Sequence, residues 1–274
     1  MRKYLLFAAI TALFAFCGCE NYDEDLKQYP QITFTTNKKV GETIVLRFSE
    51  TGMPTEVTGA KKISEEVINM DGGFFEAGVV DVTYSLTSQT VVIKGDITGL
   101  RCENNSMASL DVSRCPGLTL LQCDNNQLTT LNVSNNPELI YFFCSYNQLA
   151  QLDVSKNTKL EVLSCSNNKI TSLDVSKHTE LGVLYCNNNK LSSLDVSKHT
   201  GLYNLDCRFN KIKVAEMSKI IKALPDWTGK RIEYYWPMVV GNATLHAVST
   251  DSNEENEISE ADIKIAEEKN WKFN

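Results

Sequence analysis

Six cysteines, Cys102, Cys123, Cys144, Cys165, Cys186 and Cys207, stand 21 residues apart. Three residues after each comes an asparagine: Asn105, Asn126, Asn147, Asn168, Asn189 and Asn210. A fixed period held over six copies leaves few folds open, because such a chain stacks equal units in a line and equivalent residues become columns. In register, each copy reads L-x-x-L-x-C-x-x-N-x-L-x-x-L-D-V-S, as from Leu118 through Leu121, Cys123, Asn126, Leu128 and Leu131 to Ser134. Leu121 and Cys123 alternate with Gln122 and Asp124, the period-two pattern of a strand with one buried face. The inward set of this copy is Leu118, Leu121, Cys123, Leu128, Leu131 and Val133, with Phe142, Ile170, Ile212 and Met107 replacing leucines in other copies. A single copy cannot bury these side chains; its neighbours must.

The asparagine column has a backbone rationale. Asparagine tolerates the turn after a strand, and its amide satisfies main-chain groups that no ladder reaches. The rest of each copy is short and rich in Ser, Asn and Thr, which disfavours a regular helix and favours 3₁₀ or extended structure on the return path. Together these motifs resemble leucine-rich repeats, in a short form with cysteine at the third apolar slot. The resemblance implies a repeat solenoid, a parallel-β superhelix with a non-helical convex side. It further implies a binding scaffold and not an enzyme.

On this reading residues 97–214 form six rungs, and the flanks serve as caps. Residues 30–96 alternate as strands do at Ile32 and Phe34, at Ile44, Leu46 and Phe48, and over 82–86 and 90–93, predicting a β-rich N-terminal cap region. After Asn210 the period breaks. Val214, Met217, Ile220, Ile221 and Leu224 mark one face of a helix that Pro225 closes. Short strands are expected over 232–236 and 243–248. Ser259 then precedes a second helix from Ile263 to about Lys269, so residues 215–274 read as a small α+β C-terminal cap.

The start of the chain reads as a targeting segment. Arg2 and Lys3 precede an apolar run from Leu5 to Cys17 that suits a signal peptide over residues 1–18 and is short for a membrane span. Gly18-Cys19 resembles the processing site of bacterial lipoproteins, and the acidic residues Glu20, Asp23, Glu24 and Asp25 resemble the export signal of surface lipoproteins in Bacteroides-type bacteria. The resemblance implies lipidation at Cys19, a tether over 19–29, and anchoring to the outer membrane facing outward; a plain secretory signal is the alternative. The net charge of −7 argues against nucleic acid, which demands a basic stripe.

Chemistry-bearing residues are sparse. The repeat cysteines share one column, and in-register Cβ vectors point the same way, so free buried thiols are favoured over disulfides. Cys115 shares its slot with Asn136, Asn157, His178 and His199, a slot expected near the outer, convex edge and partly exposed. The two histidines read there as polar replacements for asparagine, since a zinc site would lack a third ligand. With three histidines and neither an H-E-x-x-H nor a G-x-S-x-G motif, hydrolase chemistry finds no footing. No cofactor or metal is expected. The one stretch with metal-like spacing is 251–262, where Asp251, Asn253, Glu255, Glu257 and Asp262 resemble the donors of an EF-hand calcium loop. The loop lacks the usual glycine and terminal glutamate, and the plainer reading is an acidic loop whose Ser259 caps a helix.

The functional signal lies in strand residues that point away from the core. One column reads Gly99, Leu120, Tyr141, Val162, Val183 and Asn204; the next reads Arg101, Gln122, Phe143, Ser164, Tyr185 and Asp206. Leu120, Tyr141, Phe143, Val162, Val183 and Tyr185 form an apolar group that the repeat pattern does not require, with Tyr146 beyond. Such a patch marks a contact face. Recognition of a protein or glycan through this concave face is expected; an envelope assembly role, using the same patch for protein–protein contact or self-association, is the alternative.

Overall fold

The computed structural model describes residues 29–68, 78–228, 243–247 and 254–273. The signal segment, Cys19, nearly all of the tether, and the strand expected over 232–236 lie outside the described residues, as do Asp251 and Asn253 of the acidic loop.

Fifteen strands, two α-helices and one 3₁₀ turn at Glu50–Gly52 follow one another along the described chain. The N-terminal strands are β1 (Gln31–Thr36), β2 (Thr43–Ser49), β3 (Glu56–Thr58), β4 (Ala60–Ile68), β5 (Val79–Leu86) and β6 (Thr90–Lys94). The repeats contribute β7 (Gly99–Arg101), β8 (Met107–Asp111), β9 (Leu120–Gln122), β10 (Tyr141–Phe143), β11 (Val162–Ser164), β12 (Val183–Tyr185) and β13 (Asn204–Asp206). After them come α1 (Val214–Ala223), β14 (Ala243–His246), α2 (Glu260–Glu268) and β15 (Trp271–Phe273).

The array is the expected leucine-rich-repeat parallel-β superhelix. Strands β7, β9, β10, β11, β12 and β13 pair in parallel and in perfect register, so that Gly99, Leu120, Tyr141, Val162, Val183 and Asn204 form one row. Every cysteine of the 21-residue column is buried and free. Burial pushes the Cys165 thiol up to about 12, so the column stays protonated and packs as a run of small apolar groups. The return path is held by i→i+3 bonds, as from Asn136 N–H to the Val133 carbonyl at 3.0 Å and from Leu139 N–H to the Asn136 carbonyl at 3.2 Å.

The asparagine column ties rung to rung. Asn126 donates to the carbonyls of Cys102 and Cys123, both at 3.0 Å, and accepts from Met107 N–H at 2.9 Å. Asn147, Asn168, Asn189 and Asn210 repeat the pattern one rung on each time. The turn itself falls on the residue before: Asn104, Asn125, Tyr146, Asn167, Asn188 and Phe209 hold φ between 53° and 60°. Asparagine is one of the few side chains that tolerate this left-handed region, which explains its frequency there.

The ladder does not end with the sixth rung. β14 and β15 extend it in parallel, with Leu205 opposite Leu245 and Thr244 opposite Lys272. Ala247 takes the place of the next cysteine, and the next asparagine is Asn256. It donates to the carbonyls of Cys207 and Ala247 at 2.7 and 2.8 Å and accepts from Ile212 N–H at 2.9 Å. The 21-residue period hid this rung because 40 positions separate Cys207 from Ala247 instead of 21, and nine separate Ala247 from Asn256 instead of three.

At the other end, β2 pairs antiparallel with β7, and β5 and β4 follow outward to complete an eleven-stranded sheet. A second sheet of four strands, ordered β3-β6-β1-β8, packs its buried residues into the same continuous core. Asn105, which has no preceding rung, instead donates to the Val45 carbonyl at 2.8 Å and accepts from Val45 N–H at 3.2 Å. The helix expected from Val214 is α1, which buries Met217, Ile220 and Ile221. The second begins three residues earlier than Ile263, with Ser259 accepting from Asp262 N–H as its cap.

Three placements differ from expectation. Cys115, His178 and His199 are fully buried, not at an exposed edge. Their slot forms a second inter-rung ladder. Asn136 and Asn157 each donate to two carbonyls of the preceding rung at 2.8–2.9 Å, and His199 Nε2 faces the Val175 carbonyl at 2.9 Å. A carbonyl can only accept, so the imidazole nitrogen facing it carries the proton.

Candidate functional site

The sheet places the seven concave-face residues along β9 to β12 and the turn after β10, but does not expose them equally. Leu120, Val162 and Val183 are buried, because side chains one rung apart in a parallel row cover one another. Tyr141, Phe143 and Tyr185 are half-buried and packed against the core. Burial first, and then the nearby Glu161 carboxylate, push the Tyr141 hydroxyl up to about 12. Asn204 donates to the Tyr185 hydroxyl at 2.8 Å and so fixes that ring. Tyr146 stands out at 57% exposure.

Beside the aromatic rows runs a groove of about 510 Å³, walled by Gln122, Asp124, Tyr146, Ser164, Tyr185 and Asp206 among others. Along it runs the residue just after each cysteine: Glu103, Asp124, Ser145, Ser166 and Asn187 in successive rungs. Hydrogen bonds run along this row. Ser145 N–H donates to Asp124 Oδ1 at 2.6 Å, Ser166 N–H to Ser145 Oγ at 3.1 Å, and Ser166 Oγ to Asn187 Oδ1 at 2.5 Å.

Three carboxylates reach the groove, and two are neutralised. Arg47 pairs with Glu103 and, at 2.6 Å, with Asp81, while Arg208 pairs with Asp206 at 2.7 Å. Asp124 makes no ion pair among the described residues. Burial, reinforced by the neighbouring Glu103, pushes its carboxyl up to about 6, although the Ser145 N–H and the Gln122 side chain pull the other way. The groove thus offers an ionisable, poorly hydrated acceptor, with Tyr146 one rung on and Tyr185 further along the same groove. Reading the residue after each cysteine as a column, beside the two outward strand columns, is the signal that would have found Asp124.

Tyr146 carries a second mark. It occupies the left-handed position that four of the six copies give to asparagine. A tyrosine in that conformation costs on the order of 1 kcal/mol, and strained residues of this kind cluster at functional sites.

The described part of the acidic stretch is engaged elsewhere. Glu257 pairs with Lys213 at 2.6 Å, Glu255 lies 3.5 Å from Lys211, and Asp262 accepts from Ser218 and Ser259 at 2.9 and 2.6 Å. Among the described residues no group of three His, Cys, Asp or Glu side chains is placed to hold a metal. Nor is any described helix long and apolar enough to cross a membrane.

No family model matches the chain, and no curated protein does. Solved structures do match. The functional domain of InlJ from Listeria monocytogenes, described as including a cysteine ladder, is 29% identical over 67% of this chain and 46% of that one, with a TM-score of 0.41. An internalin, inlF, from the same organism is 20% identical over 64% of this chain and 46% of its own, with a TM-score of 0.48. A leucine-rich-repeat protein of Leptospira interrogans is 19% identical over 60% and 44%, with a TM-score of 0.42. The chain spans less than half the length of each.

Proposed function

We propose that this chain is a non-enzymatic recognition module, exported and lipid-anchored through Cys19, that binds a protein partner along the concave groove. The observation that carries the reading is Asp124. An ionisable carboxylate without a cationic partner among the described residues, lining one groove with Tyr146 and Tyr185, suits a lysine or arginine side chain, because the ring faces and the carboxylate both attract a cation. Tyr141 and Phe143 extend the contact as half-buried aromatic surface, of the kind that anchors partners. With Leu120, Val162 and Val183 withdrawn into the row, the apolar area left for an assembly role through this patch is small.

The test uses the chain from Glu20 onward, which keeps every residue of the described fold, beside an Asp124→Asn/Tyr146→Ala variant. Both are screened by biolayer interferometry on a panel of matrix proteins, mucins and neutral polysaccharides. Binding to basic protein ligands that is lost in the variant, with circular dichroism unchanged, is expected. Binding to polysaccharides alone, or binding indifferent to both substitutions, would displace the reading.

A further inference from the structure

A second surface is organised for contact and lies away from the groove. β4 is the outermost strand of the eleven-stranded sheet, and nothing among the described residues pairs with its outer edge. It is nine residues long, three times the length of a repeat strand, and its seven interior residues are all exposed. Ile63 and Val67 are 58% and 52% exposed. Gly59 aims it: at φ +80° the chain passes the Thr90 backbone so closely that a Cβ would lie 2.0 Å from the Thr90 carbonyl oxygen. A long bare edge is a ready template for another strand, and proteins commonly blunt such edges with lysines and bulges. β4 has both, a bulge between Lys62 and Ser64 and the pair Lys61-Lys62. What they leave admissible is a strand whose charges run in the opposite order.

The sequence of β4 is its own complement. Lys61-Lys62 at one end and Glu65-Glu66 at the other flank Ile63-Ser64 at the centre. We infer that β4 pairs antiparallel with β4 of a second copy of this chain, about a two-fold axis between Ile63 and Ser64. That register sets Lys61 against Glu66 of the second copy, Lys62 against its Glu65, and Ala60 against its Val67. The faces agree as well. Lys62, Glu65 and Val67 lie opposite Tyr84, Val82 and Val80, on one face, while Lys61, Ser64 and Glu66 lie opposite Ser85, Thr83 and Asp81, on the other. Cross-strand partners must share a face, and the bulge preserves that match only when the axis falls on it.

The bonding divides between backbone and side chains. Edge N–H and C=O groups supply the attraction, as in any added strand, and the charges select partner and register. Lys62 and Glu65 already pair within one copy at 2.9 Å, so the dimer would join two such pairs into one four-membered network. Lys61 and Glu66 make no ion pair among the described residues and gain one. A parallel arrangement in register would oppose like charges along the whole strand. The contact is isologous, so it closes at two copies and does not propagate.

The experiment follows the self-complementarity. Sedimentation velocity over a concentration series is run on the chain from Glu20 onward, on Lys61→Glu/Lys62→Glu, on Glu65→Lys/Glu66→Lys, and on a one-to-one mixture of the two variants. The wild type is expected to form a dimer, and each variant alone to weaken it about a hundredfold through four like charges in line. The mixture should restore a heterodimer, and the quadruple charge exchange should restore the homodimer. A wild type that stays monomeric throughout overturns the inference. So do variants that dimerise unimpaired, or a mixture that fails to associate. The Asp124→Asn/Tyr146→Ala variant should dimerise like wild type, which separates this surface from the groove.

Discussion

Replacing Asn147 with alanine tests how the rungs are held together. Asn147 donates to the carbonyls of Cys123 and Cys144 at 3.0 and 3.1 Å and accepts from Leu128 N–H at 3.0 Å. The two carbonyls are shared, since Asn126 also donates to Cys123 and Asn168 also donates to Cys144, so each keeps one donor after truncation. The Leu128 N–H has no such reserve and is stranded in a buried place. One stranded donor at roughly 1–3 kcal/mol and two lost bonds at about 0.5–1 kcal/mol each give about 3 kcal/mol. Urea denaturation followed by circular dichroism would read this as a lower midpoint at unchanged slope. The control is Asn135→Ala, which removes one exposed bond to the Ser113 carbonyl and should cost under about 0.5 kcal/mol. Asn147→Asp refines the test: the carboxylate still accepts from Leu128 but opposes two carbonyl oxygens, so it should be worse than alanine at neutral pH and improve on acidification. A loss below about 1 kcal/mol for Asn147→Ala would refute the ladder as the tie between rungs.

Tyr146→Asn should stabilise the fold by about 1 kcal/mol, because asparagine suits the left-handed turn, while weakening ligand capture; denaturation and interferometry on the same sample check the two effects. Asp124→Asn should also stabilise at pH 7, by on the order of 1–2 kcal/mol after screening. The sign follows from the raised carboxyl: the native chain takes up a proton near pH 6 that the unfolded chain takes up near 3.8, so wild-type stability rises as pH falls between them. The variant should flatten that rise, and equal pH profiles would contradict it. Asn256→Ala should strand the Ala247 carbonyl and the Ile212 N–H, loosening β14 and β15 before the central rungs, as faster hydrogen exchange confined to those strands.

The regular part of the molecule was legible because its physics is periodic. A buried column every 21 residues leaves one register, so the parallel array and the inward leucines and cysteines follow from spacing alone. Periodicity is equally the reason Asn256 escaped notice: its slot is defined by where its amide sits, and an insertion breaks the count without breaking the geometry. His178, His199 and Cys115 were misplaced because polarity suggests an exposed edge, whereas the slot is a buried run of carbonyls that any donor of the right reach can serve. The aromatic group was visible as a column, but exposure within a column depends on the neighbours' bulk, which spacing does not carry. Asp124 shows the same limit. Its chemistry comes first from burial, a property of three dimensions.

Both ends of the array connect to the interior through the same contacts that the rungs make with one another. Asn105 treats Val45 of β2 as it would a preceding rung, and Asn256 donates to the last cysteine carbonyl as any inner asparagine donates to the one before it. The middle is therefore interchangeable. A lineage can lose or duplicate a 21-residue unit between Cys123 and Cys186 without renegotiating either terminus. Each such event shortens or lengthens the groove by one strand spacing, roughly 4.8 Å. The reach of the groove is thus set by copy number, while its closure is set elsewhere, so evolution can tune one without disturbing the other.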